Sequence, residues 1–560
     1  MGDHCCEKLS QYSARGGSGL FVTSLMPQRT VQAQSVPEPA IVLSLATLND
    51  QLDDVAYLTE AAGFAQMGNM ARMQAEGFLR GIDKSKPIGG LFYFDEGNPE
   101  PKPVFFVPVS NLDDLLDMVS QFAPVEDEDD YSVIQTPSGE SLYIKDAGAY
   151  AVVAPKAELL ENAPANIEEF VADLPGRYNI GARVFVQRIP EGMREQGLDM
   201  IESQYLEQLE NMSADDDIAA ELQMKNFEMQ MKQIRSLVNE TDELVLGLDF
   251  DREGKNIHFD VQMVGLDGSY LAKQSENYGD TGASRFAGFL DEAATFTVNG
   301  KGKLSAQDIE QYSTMLTDVR SAAMEKLEEE VDASDESFEQ IKDLVASAFD
   351  ILDSTLKDGV MDVGGNIVLS DDGANMALGV VCANPQEFEG KVKELVEVAK
   401  AEMEEEGVEV NMNVETFEGA NFHEIVFPIP EDEEEMTNLF GDTGHLFIGF
   451  GSDTIYFAAG NDPMPNLKDS MTRTTGAETV PMQYNLYLAP LMQKIASIEG
   501  EDMVQQMADK LEANGRDRVR FLMKAMTNGL DMRFEVEDGI LELIGLAAQQ
   551  FGGMGPAVDF

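Results

Sequence analysis

One order of pieces recurs along this chain of 560 residues: an apolar strand, an amphipathic helical stretch, then a hairpin of two alternating strands. From residue 40, "AIVLSLATLNDQLDDVAYLTEAAGF" runs from strand through a Thr/Asn/Asp cap region into a helix, and "GGLFYFDEG" with "PVFFVPV" supplies the hairpin. The unit returns at Tyr178 and closes with the hairpin "ELVLGLDFDREGKNIHFDVQMVG". It then comes twice more, from "AATFTVNGKGKLS" to "GNIVLSDDGANMALGVV" and from "YNLYLAPLMQKIASI" to "NGLDMRFEVEDGILELIGLA". Between the units of each half lies an acidic run followed by short strands, "YSVIQT" with its neighbours in one and "HLFIGFG" with its neighbours in the other. A period this long describes domain duplication and not a solenoid. Tyr178 pairs with Tyr484 at a spacing of 306 residues and Gly247 with Gly529 at 282, so insertions separate the copies.

This pattern predicts an α+β fold of two tandem similar halves, each a mostly antiparallel sheet with amphipathic helices packed on one face. The expected divisions are a leader over 1–33, a first domain over 34–285 and a second over 286–560. In the hairpin beginning at Leu246, Leu248, Phe250, Ile257, Phe259, Val261 and Met263 share one face with it, while Asp249, Asp251, His258, Asp260 and Gln262 share the other. The charged face is expected to meet water. Ile341, Leu344, Val345, Ala348, Phe349, Leu352 and Leu356 give a helix one apolar stripe that needs a sheet to lie on.

Charge narrows the partners. The chain carries 39 Lys and Arg against 102 Asp and Glu, a formal net charge of −63, which repels phosphate backbones and anionic lipid surfaces. Nucleic acid is therefore excluded as an expected partner. A hydrophobic content of 43% supplies enough apolar area for a large folded core. After residue 40 no apolar run is long enough for a transmembrane segment. The first residues read as an export signal: Lys8 and Arg15, the apolar run "GLFVTSLM", then Val31-Gln32-Ala33 as a small-residue cleavage pattern. The expected location is periplasmic or extracellular. Three cysteines, two of them Cys5 and Cys6 in that leader, cannot form a disulfide framework, and Cys382 is expected to be a buried, inert thiol.

Candidate chemistry is sparse. Asp249, Asp251, Glu253 and Asp260 with Gly254 approximate a calcium loop, but Asn256 and the terminal Asp depart from it, and a charged hairpin turn explains the same letters. His423 and His445 lie on neighbouring predicted strands and, with Glu424, form a weak metal candidate. Met67, Met70 and Met73 recur every third residue, which suits Cu(I) in principle and core filling in general. No nucleophile elbow, P-loop or dinucleotide fingerprint occurs. No cofactor is expected beyond weakly bound divalent cations at the acidic runs.

The leader, acidic coat and duplicated α+β plan resemble uncharacterised exported bacterial proteins. That resemblance rests on pattern over nearly the whole mature chain and transfers no site residue. The expectation is a non-catalytic exported acidic protein with a binding or envelope-associated role. Two alternatives are a carrier of a lipid or other hydrophobic ligand in a cavity between sheet and helices, and a metal-dependent enzyme.

Overall fold

The computed structural model describes residues 38–551 apart from 162, 165–166, 212–216, 280–281, 331–337, 371–372, 406, 431–432, 475–479 and 501. The expected leader, with His4, Cys5, Cys6 and the expected cut at Ala33, lies outside the described residues. Ten strands precede residue 266: β1 (Ile41–Leu45), β2 (Ile88–Asp95), β3 (Asn98–Pro108), β4 (Val125–Asp127), β5 (Ser132–Gln135), β6 (Ser141–Asp146), β7 (Tyr150–Ala154), β8 (Ile180–Phe185), β9 (Thr241–Asp251) and β10 (Asn256–Gly265). Ten more follow: β11 (Phe296–Lys303), β12 (Val360–Ser370), β13 (Gly373–Val381), β14 (Glu409–Phe417), β15 (Ala420–Pro428), β16 (Thr443–Phe450), β17 (Thr454–Gly460), β18 (Met482–Tyr487), β19 (Arg518–Met526) and β20 (Gly529–Glu537).

All pair antiparallel in one sheet of 20 strands. From the outer edge of the first half the order is β4, β5, β6, β7, β3, β2, β1, β8, β9, β10. From the outer edge of the second half it is β14, β15, β16, β17, β13, β12, β11, β18, β19, β20. The two sequences of strands correspond one to one, and β10 joins β20 at the centre in register from Asn256↔Glu537 to Val264↔Gly529. The sheet does not break near residue 285, and the described residues from Glu38 onward form one compact unit. The strand, helical stretch and hairpin expected four times are present as β1 to β3, β8 to β10, β11 to β13 and β18 to β20, with two α-helices between strand and hairpin in each.

Helices lie on both faces. Pairing Ser44 with Gly89 and Gly181, Gly181 with Gly247, and Gly247 with Asp260 sets these residues in one transverse row, so their side-chain directions share a face. A Cβ on Gly89 would strike Ile167, one on Gly181 would touch Leu174, and one on Gly247 would fall 2.3 Å from the Tyr178 ring. The short helices Glu168–Val171 and Leu174–Arg177 thus cover this face, and the core of Val42, Leu91, Val104, Phe106, Ile167 and Leu174 fills it. On the opposite face, the helix Leu112–Val119 packs on β5 to β7 around Ile134 and Ile144, and the helices Phe338–Lys357 and Pro385–Glu405 pack around Phe450 and Ile455.

The expected wetting of the central hairpin is reversed. Asp260, His258 and Glu535 are buried at 2%, 7% and 5% exposure, whereas Phe259 and Phe534 stand 41% and 47% exposed. Charge pairing makes this tolerable: Arg533 clamps both oxygens of Asp260 at 2.8 Å, Tyr178 adds its hydroxyl at 3.2 Å, and Arg520 reaches Glu535 at 2.8 Å. The alternation was legible; which side the arginines would cover was not. Because Gly247 sits mid-strand under a buried ring, Gly247→Val should cost about 2 kcal/mol by overpacking, read as a lowered urea midpoint, with Gly247→Ala losing less. An unchanged midpoint would show that Tyr178 can move aside freely.

Candidate functional site

The open face of the first half is a floor of carbon. Leu45, Ile180, Leu248 and Phe259 pair successively across β1, β8, β9 and β10, and Leu43, Ala182 and Leu246 form the adjacent row. These strands read as strands because apolar residues, chiefly leucine, alternate with residues facing the covered side. Small residues on that covered side let the short helices press close, so the large side chains rise from the other. Leu43, Leu45, Ile180, Phe259 and Phe105 are between 36% and 43% exposed. Together they border a cleft of about 410 Å³, and the Phe105 ring in its lining stands edge-on to Phe92 at 5.7 Å. Of the residues lining it, Ser44 alone has a polar side chain, and that side chain belongs to the covered face and is buried. A contiguous apolar patch left open on a folded chain marks an interaction site, and cleft volumes of roughly 300–1,000 Å³ suit small ligands.

A polar cluster begins at Asn179, the residue before Ile180. The helix Leu48–Ala61 is capped by the Thr47 side chain, which accepts the Asp50 N–H at 3.2 Å. It carries Asp54, which is buried and accepts a hydrogen bond from the Asn179 amide. Burial pushes the Asp54 carboxyl up to about 6, opposed by Arg252 and reinforced by Asp50, Asp249 and Asp53. One turn on, Tyr57 donates to Asp538 at 3.1 Å, and Arg516 holds the other oxygen of that carboxylate at 2.5 Å.

The metal candidates are not brought together. His423 pairs with Ile448 and His445 with Val426, which places the two rings on opposite faces of the sheet. His423 accepts the Asn413 N–H at Nδ1 (2.8 Å), so Nε2 carries the proton toward Glu389 at 3.0 Å, and burial holds its pKa low. His445 meets Glu424 at 3.0 Å on the other side. In the hairpin candidate, Asp251 accepts the Gly254 N–H at 2.8 Å as a turn residue, Asp249 lies 3.7 Å from His258, and Asp260 is held by Arg533; Glu253 is in the turn. Among the described residues no group of three or more His, Cys, Asp or Glu is placed to hold a metal ion. Cys382 is buried, and burial raises its thiol pKa. The methionines do not fill the core: Met67, Met70 and Met73 are 54%, 53% and 70% exposed on the helix Ala65–Phe78, whose buried residue is Gly68. Gly68 fits against Ala56 and Thr59, so this helix packs by its small residue and turns its thioethers outward.

The floor of the cleft escaped the sequence reading because its residues look like ordinary strand interior. The signal was there in the other parity: Gly89, Gly181 and Gly247, one glycine per strand on the covered face, mark where helices sit close and hence which face is left open. No helix among the described residues is long and apolar enough to cross a membrane. No protein-family model, curated protein or solved structure matches the chain.

Proposed function

We propose that this is a non-catalytic, exported binding protein that takes an uncharged aliphatic chain into the sheet cleft of its first half. The observation that carries this reading is the open row Leu45, Ile180, Leu248 and Phe259, lined by carbon and free of charged side chains. Burying such surface is favourable by about 25 cal/mol per Å², and it needs no polar partner within the cleft. An uncharged head group suits a chain whose formal net charge is −63, since an anionic ligand would approach against that field.

Monomyristoylglycerol is a direct probe. Native mass spectrometry is expected to show a bound molecule, and displacement of a fluorescent polyene alcohol should give its affinity. Phe259→Lys places an ammonium among the apolar side chains and should weaken binding by about tenfold or more, a loss of at least 1.4 kcal/mol. Phe534→Lys, on the same transverse row but outside the cleft lining, should change it little. Absence of any bound lipid in the parent chain sinks the reading.

A further inference from the structure

The second half carries the matching row on the same face. Gly300, Met482, Met523 and Met532 pair successively across β11, β18, β19 and β20, as Leu45, Ile180, Leu248 and Phe259 do across β1, β8, β9 and β10. None of the second set is exposed as Leu45, Ile180 and Phe259 are, and Met523 is 8% exposed. The difference has a visible cause. The helix Tyr270–Gly279, which follows β10, packs against β10, β20, β19 and β11. It lies on the open face: a Cβ on Gly302, two residues beyond Gly300 on the same side, would sit 2.7 Å from the Tyr278 ring, and one on Gly279 would lie 3.7 Å from the Ala525 Cβ. Gly300 stands where Leu45 gives the first half its bulk, Gly302 beyond it is also bare, and the helix takes up that space with Leu271, Ala272 and Ser275 buried. The helix Gly539–Phe551, which follows β20 as Tyr270–Gly279 follows β10, is seated elsewhere. Its Gly545 abuts the Ala62 carbonyl at the end of the helix Leu48–Ala61, and its Ile544 is 61% exposed.

We propose that the second half holds a closed second site for the same class of ligand, an uncharged aliphatic chain, shut by the helix Tyr270–Gly279. This rests on the aliphatic-chain reading of the first cleft. The latch is polar and peripheral to the apolar row. The Tyr270 hydroxyl donates to Asp308, and the Gln274 amide donates to both oxygens of the same carboxylate at 3.0 Å. The Tyr270 N–H donates to Glu240 at 2.5 Å. Asp308 is itself fixed, because it accepts the Ser305 N–H at 2.8 Å in the first turn of the helix Ala306–Glu330. Loosening two side chains on the short helix therefore leaves the neighbouring cap intact.

The test is photolabelling of the intact chain with a diazirine-bearing monoacylglycerol, followed by peptide mapping and native mass spectrometry. In the parent chain one equivalent is expected, with label on β1, β8, β9 or β10 and none on β11, β18 or β19. Tyr270→Phe combined with Gln274→Ala, and separately Leu271→Glu, should admit a second equivalent labelling β11, β18 or β19. Label in both halves of the parent chain, or a single equivalent in both variants, overturns the closed site while leaving the first cleft standing. No label anywhere overturns the aliphatic-chain reading instead.

Discussion

Arg533→Leu is expected to destabilise the chain by about 3 kcal/mol, seen as a lower urea midpoint at neutral pH. Asp260 is buried at the line where the two halves join, directly opposite Arg533 in the β10–β20 pairing. The guanidinium holds it through Nε and Nη2, both at 2.8 Å, and the remaining contact is the Tyr178 hydroxyl at 3.2 Å. Removing the arginine leaves an ionised carboxylate in a dry position with one neutral donor. The opposing argument is that buried ion pairs contribute little net stability, because desolvating both charges offsets their attraction. That argument concerns replacing the pair, whereas here one partner is removed. The two effects separate in a double variant: Asp260→Leu with Arg533→Leu should recover most of the loss, since neither charge then remains to be solvated. A single-variant loss below about 1 kcal/mol would mean that water reaches Asp260 and that the pair is not a clamp on the join.

The succession of strands and helices along the chain was legible because it depends on local pattern. Alternation in "ELVLGLDF" and "IHFDVQM", glycine and asparagine at the turns, and acidic helices between them are each set within a dozen residues, and these segments do form strands of one antiparallel sheet. The register between halves was not legible. The sequence pattern matches Gly247 with Gly529, yet Gly247 lies mid-strand in β9 opposite Asp260, while Gly529 is the first residue of β20, pressed on the Met263 carbonyl. Glycine conserves no side-chain information, so one demanded by a ring and one demanded by a backbone read alike. The side of the sheet that stays open was hidden for a related reason. Arg183, Arg518, Arg520 and Arg533 lie far from the acids Asp173, Asp260 and Glu535 in sequence or on neighbouring strands, and only the assembled sheet shows that they neutralise a covered face. Likewise, His423 and His445 sit on adjacent strands as expected, but an odd offset in pairing sends them to opposite sides.

Asp54 gives the pH dependence with the largest expected amplitude. Its carboxyl titrates near 6 in the folded chain, raised chiefly by burial, with Asp50, Asp249 and Asp53 adding to the rise and Arg252 acting against it. In the unfolded chain it titrates at about 3.9. Below that value both states hold the proton and the site costs nothing. Between about 4 and 6 the unfolded chain ionises first, so stability falls as pH rises; above 6 the cost is constant, at about 3 kcal/mol for a difference of roughly two units. Asp54→Asn cannot ionise, and its carbonyl oxygen can still accept from the Asn179 amide, which also fixes β9 by accepting the Phe250 N–H at 2.8 Å. The stability difference between variant and parent should therefore move in favour of asparagine by about 3 kcal/mol between pH 4 and pH 7, measured by urea unfolding of both proteins at each pH. The Arg252 contact, 3.4 Å from Asp54, already acts against the rise in that pKa, so its loss in the variant is contained in this difference and is not counted again. A difference that stays flat across that interval would mean that Asp54 is ionised at low pH and that Arg252, not burial, governs it.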